Sequence, residues 1–146
     1  MKLIISGKGG SGKSTISSLL AMDLVGKGYR VLVVDTDESN FGLEALLGMD
    51  HSQELMDHLG GKKALGEKMR AAFSKAPGEP RAPLFDQVWG FEDIPQECLS
   101  SRGSLNLMQV GKIKNFGEGC ACPIGSLSKD FLRNLSLGPK DVAIVD

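Results

Sequence analysis

The residues Gly7-Lys8-Gly9-Gly10-Ser11-Gly12-Lys13-Ser14-Thr15 fit the spacing G-x-x-x-x-G-K-[ST]. Glycines in such a run let successive backbone N–H groups turn inward around phosphate oxygens. Lys13 is placed to reach the β- and γ-phosphates of a nucleoside triphosphate, and Ser14 to offer its hydroxyl to Mg²⁺. Gly9, Gly10, Ser11, Gly12, Lys13, Ser14 and Thr15 are therefore the expected nucleotide cradle. A helix that starts here aims its positive end at the same anion. A second spacing overlaps the first. Gly7, Gly9 and Gly12 also satisfy G-x-G-x-x-G, and an acidic residue ends the next strand-like run, as in a dinucleotide site. Lys13-Ser14 decides between them. A dinucleotide fold has no need of a lysine at the helix start. A triphosphatase needs that lysine and a carboxylate after another strand to hold the metal's water shell, and Asp146 stands in that place.

Lys8 is a second lysine inside the loop. It is either a solvated loop residue or a charge delivered to a phosphate held by a second subunit. A cation supplied on dimerisation stabilises the transferring phosphoryl group, as an arginine finger does.

Cys120-Ala121-Cys122-Pro123 is the other constellation. In an extended chain, residues i and i+2 point to the same side. Two thiolates so placed can chelate one soft metal but cannot complete a tetrahedron. The missing ligands would come from Cys98, His51 or His58, all distant in sequence, or from a second copy of the pair across a dimer axis. The plain alternative is two idle thiols, because a bare C-x-C is a weak signature. Gly117, Gly119 and Gly125 open the loop around the pair. Cys98 has no such setting and reads as a small core or surface residue. His51 and His58 sit on short, weakly amphipathic segments and are not expected to be ligands.

These residues need a scaffold. Leu3–Ile5, Val31–Val34 and Val142–Val145 read as strands buried on both faces, closed by Ser6-Gly7, Asp35 and Asp146. Ile16, Leu19, Leu20 and Leu24 recur at helical spacing between the first two, and Gly26 or Gly28 can stop the helix. The result is an α/β fold with a mostly parallel sheet covered by helices. Short helices are expected at Phe41–Leu47 and Ser52–Leu59, with Ser52 as N-cap and Gly60 as stop. A third is expected at Lys62–Lys75. Lys62, Lys63, Lys68, Arg70, Lys75 and Arg81 make residues 61–82 basic, either as a solvated helix face or as a docking face for an acidic partner. A proline-rich loop covers Ala76–Pro83. Leu105, Leu107 and Val110 suggest a strand, Gly111–Gly125 a glycine-rich loop, and Ser128 the cap of a helix running to about Leu135 before Gly138-Pro139.

Lys8–Thr15 resembles the deviant Walker A motif of the dimerising ATPases that include the Min and Par positioning ATPases, the arsenite-pump ATPases and the nitrogenase iron protein. The resemblance implies a three-layer P-loop nucleotide-hydrolase fold, ATP and ADP as ligands, and a homodimer in which Lys8 acts across the interface. Asp35-Thr36-Asp37 resembles the family's switch I motif. The match implies that Asp37 orients or activates the attacking water, that Asp35 supports the Mg²⁺ held with Ser14 and Asp146, and that Lys8, Lys13 and Asp37 are the catalytic group. Within the family, Gly111-Lys112-Ile113, Gly117–Pro123 and Leu47–Lys63 are similar to the nickel-insertion ATPases of carbon monoxide dehydrogenase maturation. That branch implies one Ni²⁺, or Zn²⁺ in its place, per dimer on Cys120 and Cys122 of each subunit. It also implies carbon monoxide dehydrogenase, or the acetyl-CoA synthase complex, as acceptor. Family members continue past the strand that ends at Asp146, so residues 1–146 are expected to be the N-terminal portion of one ATPase domain, with the C-terminal part missing.

Composition narrows the competing classes. The 146 residues carry 17 Lys and Arg against 18 Asp and Glu, a net charge of −1, which gives no support to a nucleic-acid coat or an anionic lipid surface. Apolar runs of four or five residues are too short to span a membrane. Three cysteines do not make a disulfide scaffold, and a cytoplasmic, reducing location is expected. Two other functions remain. One is an electron-transfer protein with an iron–sulfur cluster between subunits, whose known cluster cysteines lie far apart in sequence. The other is a Min/Par-type positioning ATPase, which has no use for a cysteine pair.

Overall fold

The computed structural model describes residues 1–73, 85, 88–114 and 121–146. The strands are β1 (Lys2–Ile4), β2 (Arg30–Asp35), β3 (Ser100–Arg102), β4 (Leu105–Gln109) and β5 (Asp141–Val145). The helices are α1 (Lys13–Gly26), α2 (Leu43–Leu47), α3 (Leu55–His58), α4 (Gly61–Phe73) and α5 (Cys122–Asn134). One sheet runs in the order β1-β5-β2-β4-β3. The pairs β1/β5, β5/β2 and β2/β4 are parallel, and only β3, joined to β4 by a tight turn at Gly103 (φ +61°), is antiparallel. The expected mostly parallel α/β sheet is therefore present.

Alternation along the central strands feeds two cores, as a two-faced parallel sheet requires. Leu32, Val34, Met108, Val110 and Ala143 pack with Ile124, Leu127 and Phe131 of α5. Val31, Val33, Leu105, Leu107, Val142 and Ile144 pack with Ala21 of α1 and with Leu43 and Leu47 of α2. The sheet thus lies between two helical layers. No helix among the described residues is long and apolar enough to cross a membrane.

Several local expectations need correction. The apolar stripe of α1 does not face the sheet throughout. Leu20 and Leu24 are partly buried, but Ile16 and Leu19 are exposed, and Ser17, Ser18 and Ala21 are the residues against the sheet. Small side chains there let the helix approach closely, and the two serines satisfy their hydroxyls on Asp146 and on Ser14 O. Helix α2 starts at Leu43, not Phe41, because Asn40 Oδ1 accepts Gly42 N at 3.0 Å and holds a turn there. Ser52 is not the cap of α3. Its hydroxyl donates to Cys98 O, and the helix runs only from Leu55 to His58, with Gly60 (φ +95°) ending the segment. Helix α4 starts at Gly61 and ends at Phe73; Lys75, the loop Ala76–Pro83 and Arg81 lie outside the described residues. Ser128 is interior to α5, donating to Ile124 O at 2.8 Å. The helix starts six residues earlier, at Cys122, and Pro123 fits its first turn because a fixed φ and a missing N–H cost nothing there.

The base of the sheet is tied by Arg30, whose guanidinium donates from Nε (2.8 Å) and Nη2 (3.1 Å) to the Asp141 carboxylate, and also pairs with Glu92. The hydrogen bonds from Arg30 hold the Asp141 carboxyl below its ordinary value of 3.8. A depressed carboxylate stabilises the fold above the unfolded-state value and loses that contribution as pH falls through the folded-state value. Asp141→Asn is expected to cost about 1 kcal/mol at pH 7, a figure reduced because Arg30 is itself partly exposed. In urea melts, the gap to the wild type should close as the pH drops below about 4. A gap that stays constant to pH 3 would contradict the ion-pair account.

Candidate functional site

A cleft of about 540 Å³ opens at the C-terminal edge of the parallel strands, lined by Gly9, Gly10, Lys13, Ser14, Asp37 and Asn40, among others. This is where ligands sit in α/β sheets, since β–α loops and helix N-termini converge there. Gly10 (φ +74°) and Gly12 (φ +85°) adopt left-handed conformations that a side chain would strain. A Cβ at Gly7 would meet Ser11 Oγ at 2.8 Å. The loop closes through Ser11 N to Lys8 O, 3.2 Å, and Lys13 Nζ lies over it, 3.4 Å from Lys8 O. Gly12 caps α1 without any side-chain bond, so the first N–H groups of that helix are available to an anion. Lys8 is exposed.

Asp146 lies beside Ser14, one of the lining residues. Its carboxylate accepts Ser14 Oγ at 2.7 Å and Ser17 Oγ at 2.5 Å, and its carbonyl accepts Thr36 N and Oγ1. The structure therefore brings Ser14 and Asp146 together, as the sequence predicts. A hydroxyl beside a buried carboxylate at a helix start is an oxygen donor set that suits Mg²⁺.

Asp37 lies on the segment leaving β2. Its Oδ1 accepts Ser39 N (2.9 Å), Ser39 Oγ (2.7 Å) and Asn40 N (3.2 Å). Partial burial raises its carboxyl, but these hydrogen bonds outweigh that, and the net shift is downward. Asp37 is thus an ionised carboxylate and a weak base. Asp35 is placed differently. It is 1% exposed and does not line the cleft. Its Oδ2 accepts Lys112 Nζ at 2.6 Å and its Oδ1 accepts Asp37 N at 3.1 Å. Burial pushes its carboxyl up, against the opposing pull of the Lys112 ammonium.

Cys122 is exposed at the start of α5, and Cys120 lies outside the described residues. Ala121 is helical (φ −74°, ψ −3°) and Cys122 is already in the first turn, because Pro123 favours helix initiation. Cys98 is fully buried, its thiol pushed up to about 11 by burial and by Glu97, which suits a packing residue. His51 faces Glu44 and His58 faces Glu97. Among the described residues, no three His, Cys, Asp or Glu side chains cluster closely enough to hold a metal.

Two site residues escaped the sequence reading. Asn40 donates from Nδ2 to Ser14 Oγ at 2.9 Å. Ser17 is the second donor to Asp146, and its i+3 spacing from Ser14 is the signal that could have found it. Nothing in the local pattern singles out Asn40.

The phosphate loop, the oxygen pair Ser14/Asp146 and the uncapped head of α1 define a P-loop nucleotide-binding protein. The chain belongs to the CobQ/CobB/MinD/ParA nucleotide-binding domain family, whose model matches residues 2–136. It is 45% identical over its whole length to 57% of an uncharacterized ATP-binding protein of Methanocaldococcus jannaschii. It is 30% identical, again over its whole length, to 54% of the carbon monoxide dehydrogenase accessory protein CooC of Rhodospirillum rubrum. A cytosolic Fe-S cluster assembly factor of Emericella nidulans is 28% identical over 99% of this chain and 44% of its own. The chain spans about half the length of the curated relatives it matches.

Lys13→Ala is expected to weaken Mg-ADP binding by about 10- to 100-fold, the value of one or two charge-assisted contacts to phosphate. Titration with a fluorescent ADP analogue measures this. An unchanged dissociation constant would remove Lys13 from the phosphate site.

Proposed function

We propose that the protein is a dimeric ATPase that carries a soft metal, nickel or zinc in its place, toward carbon monoxide dehydrogenase or the acetyl-CoA synthase complex. One observation carries the reading: a phosphate loop with the extra Lys8 shares a chain with a cysteine pair whose Cys122 is exposed at a helix start. The similarity to a carbon monoxide dehydrogenase accessory protein supports the same direction.

In this mechanism the loop N–H groups, Lys13 and the head of α1 bind the triphosphate. Ser14 and Asp146 would hold Mg²⁺, which when bound neutralises charge on the β- and γ-phosphate oxygens. Asp35 accepts Asp37 N and so holds the segment that carries Asp37. Asp37, held ionised with Oδ1 engaged three times, keeps Oδ2 to orient the attacking water, and its low basicity argues for positioning over proton abstraction. Water attacks the γ-phosphorus, the bond to the bridging oxygen breaks, and ADP leaves. Lys8 of each subunit reaches the phosphates of the other and stabilises the charge that develops. Cys120 and Cys122 of both subunits supply four thiolates, which select a soft or borderline ion such as Ni²⁺ or Zn²⁺. A cytoplasmic setting keeps those thiols reduced.

A second reading places an iron–sulfur cluster on the same four thiolates, in keeping with the resemblance to Fe-S assembly factors. Iron content and visible absorbance separate the two.

Native mass spectrometry of the full-length protein with nickel tests the proposal. One metal per dimer is expected in the wild type, and none after Cys120→Ser with Cys122→Ser. Metal retained by the double variant, or absent from the wild type, would overturn the site. Lys8→Ala is expected to bind nucleotide normally and to hydrolyse ATP about 10³-fold more slowly, in line with a charge supplied in trans. Normal turnover would remove Lys8 from the transition state.

A further inference from the structure

Lys112 is buried, with 1% of its side chain exposed, and every N–H of its ammonium has an oxygen to meet. It donates to Asp35 Oδ2 (2.6 Å), to Asp37 O (2.6 Å) and to Asn40 O. The last residue of β2 and two points of the segment that follows it thus converge on one charge just after β4. The regular β2/β4 ladder ends at the pair Asp35/Gln109. Beyond it, Val110 N donates to Asp35 O at 3.0 Å and Ile113 N to Glu38 O at 2.9 Å, so the two segments stay joined past the sheet.

Each end of this junction touches something that matters. On the nucleotide side, Asn40 Nδ2 donates to Ser14 Oγ, the hydroxyl that a magnesium–phosphate group recruits. Occupancy there changes what Asn40 can bond to, and the Asn40 carbonyl is held by Lys112. On the other side, Gly111 lies directly against α5. A Cβ at Gly111 would stand 3.3 Å from Ile124 Cγ1, two residues beyond Cys122, and 3.3 Å from Met56. Close-packed backbone of this kind transmits a shift because it has no void to absorb it.

We propose that Lys112 is a positioning residue that couples the nucleotide site to the start of α5. A change in residues 37–40 must either carry the ammonium or break its bonds. Carrying it moves Gly111 and Lys112, and with them the first turn of α5. This rests on the nucleotide part of the function proposed above and extends to the metal only through Cys122.

Hydrogen–deuterium exchange of the full-length protein, with and without saturating Mg-ADP, tests the coupling without any metal. In the wild type, exchange at residues 121–128 is expected to change by about fivefold or more on adding Mg-ADP. In Lys112→Met that response should vanish, while residues 9–15 still respond. Lys112→Met leaves Asp35 buried and unpaired, so Lys112→Met combined with Asp35→Asn, which removes both charges, replaces it if circular dichroism finds the single variant unfolded. A wild-type response that survives in the variant, no wild-type response at α5, or loss of the response at residues 9–15 as well would each overturn the proposal. Failure of nickel binding with the α5 response intact would sink the metal reading and leave the coupling standing.

Discussion

The site depends on one carboxylate. Asp146 directly follows β5, and β5 lies between β1 and β2, so this side chain arrives beside the loop that follows β1. There it accepts two hydroxyls from α1, Ser14 and Ser17, one helical turn apart. The helix start and the strand end are thereby fixed to each other. The position beside the positive end of α1 also favours a buried negative charge. The requirement reaches back into sequence. The face of α1 against the sheet must be small and polar, and Ser17, Ser18 and Ala21 occupy it while Ile16 and Leu19 face outward. Leucines on that face would push the helix off the carboxylate.

Two further buried acids are spent on the segment that leaves β4. Asp35 takes the Lys112 ammonium. Glu54, 1% exposed, accepts Lys112 N at 2.8 Å and pairs with Lys114 Nζ at 2.8 Å. The Lys114 ammonium is held in its charged form by that hydrogen bond to Glu54. An ion pair as buried as Asp35–Lys112 adds little net stability over an apolar pair, because desolvating both charges offsets their attraction. What it provides is a defined geometry, since an ammonium with three oxygen acceptors tolerates few arrangements. That geometry lies where the segment carrying Asp37 and Asn40 meets the backbone packed against α5.

The parts of this molecule that were legible in sequence are those with a strong local rule. The phosphate loop is legible because left-handed glycines, a lysine and a hydroxyl at fixed spacing serve few purposes. The parallel sheet is legible from short all-apolar runs, and Asp146 from its place after one of them. Illegible features arise from contacts between distant segments. The inward face of α1 follows from Asp146, 129 positions away from Ser17. The start of α5 was hidden by reading Ser128 as a cap when Pro123 already marks the first turn. Strand β3 is a three-residue edge, Ser100–Arg102, with no apolar alternation to reveal it. Lys112 is one of two lysines just after a strand, and only the fold shows that it is buried under three acceptors.

If the proposed metal site and the proposed coupling both hold, nucleotide occupancy and metal capture are one linked equilibrium. The direct test is the nickel affinity of the full-length protein, measured by competition with a chromophoric chelator, with and without a non-hydrolysable ATP analogue and Mg²⁺. The account predicts a shift of about fivefold or more, with a reciprocal shift in analogue affinity when nickel is added, as linkage requires. Nickel affinity that is identical in the two conditions would contradict it.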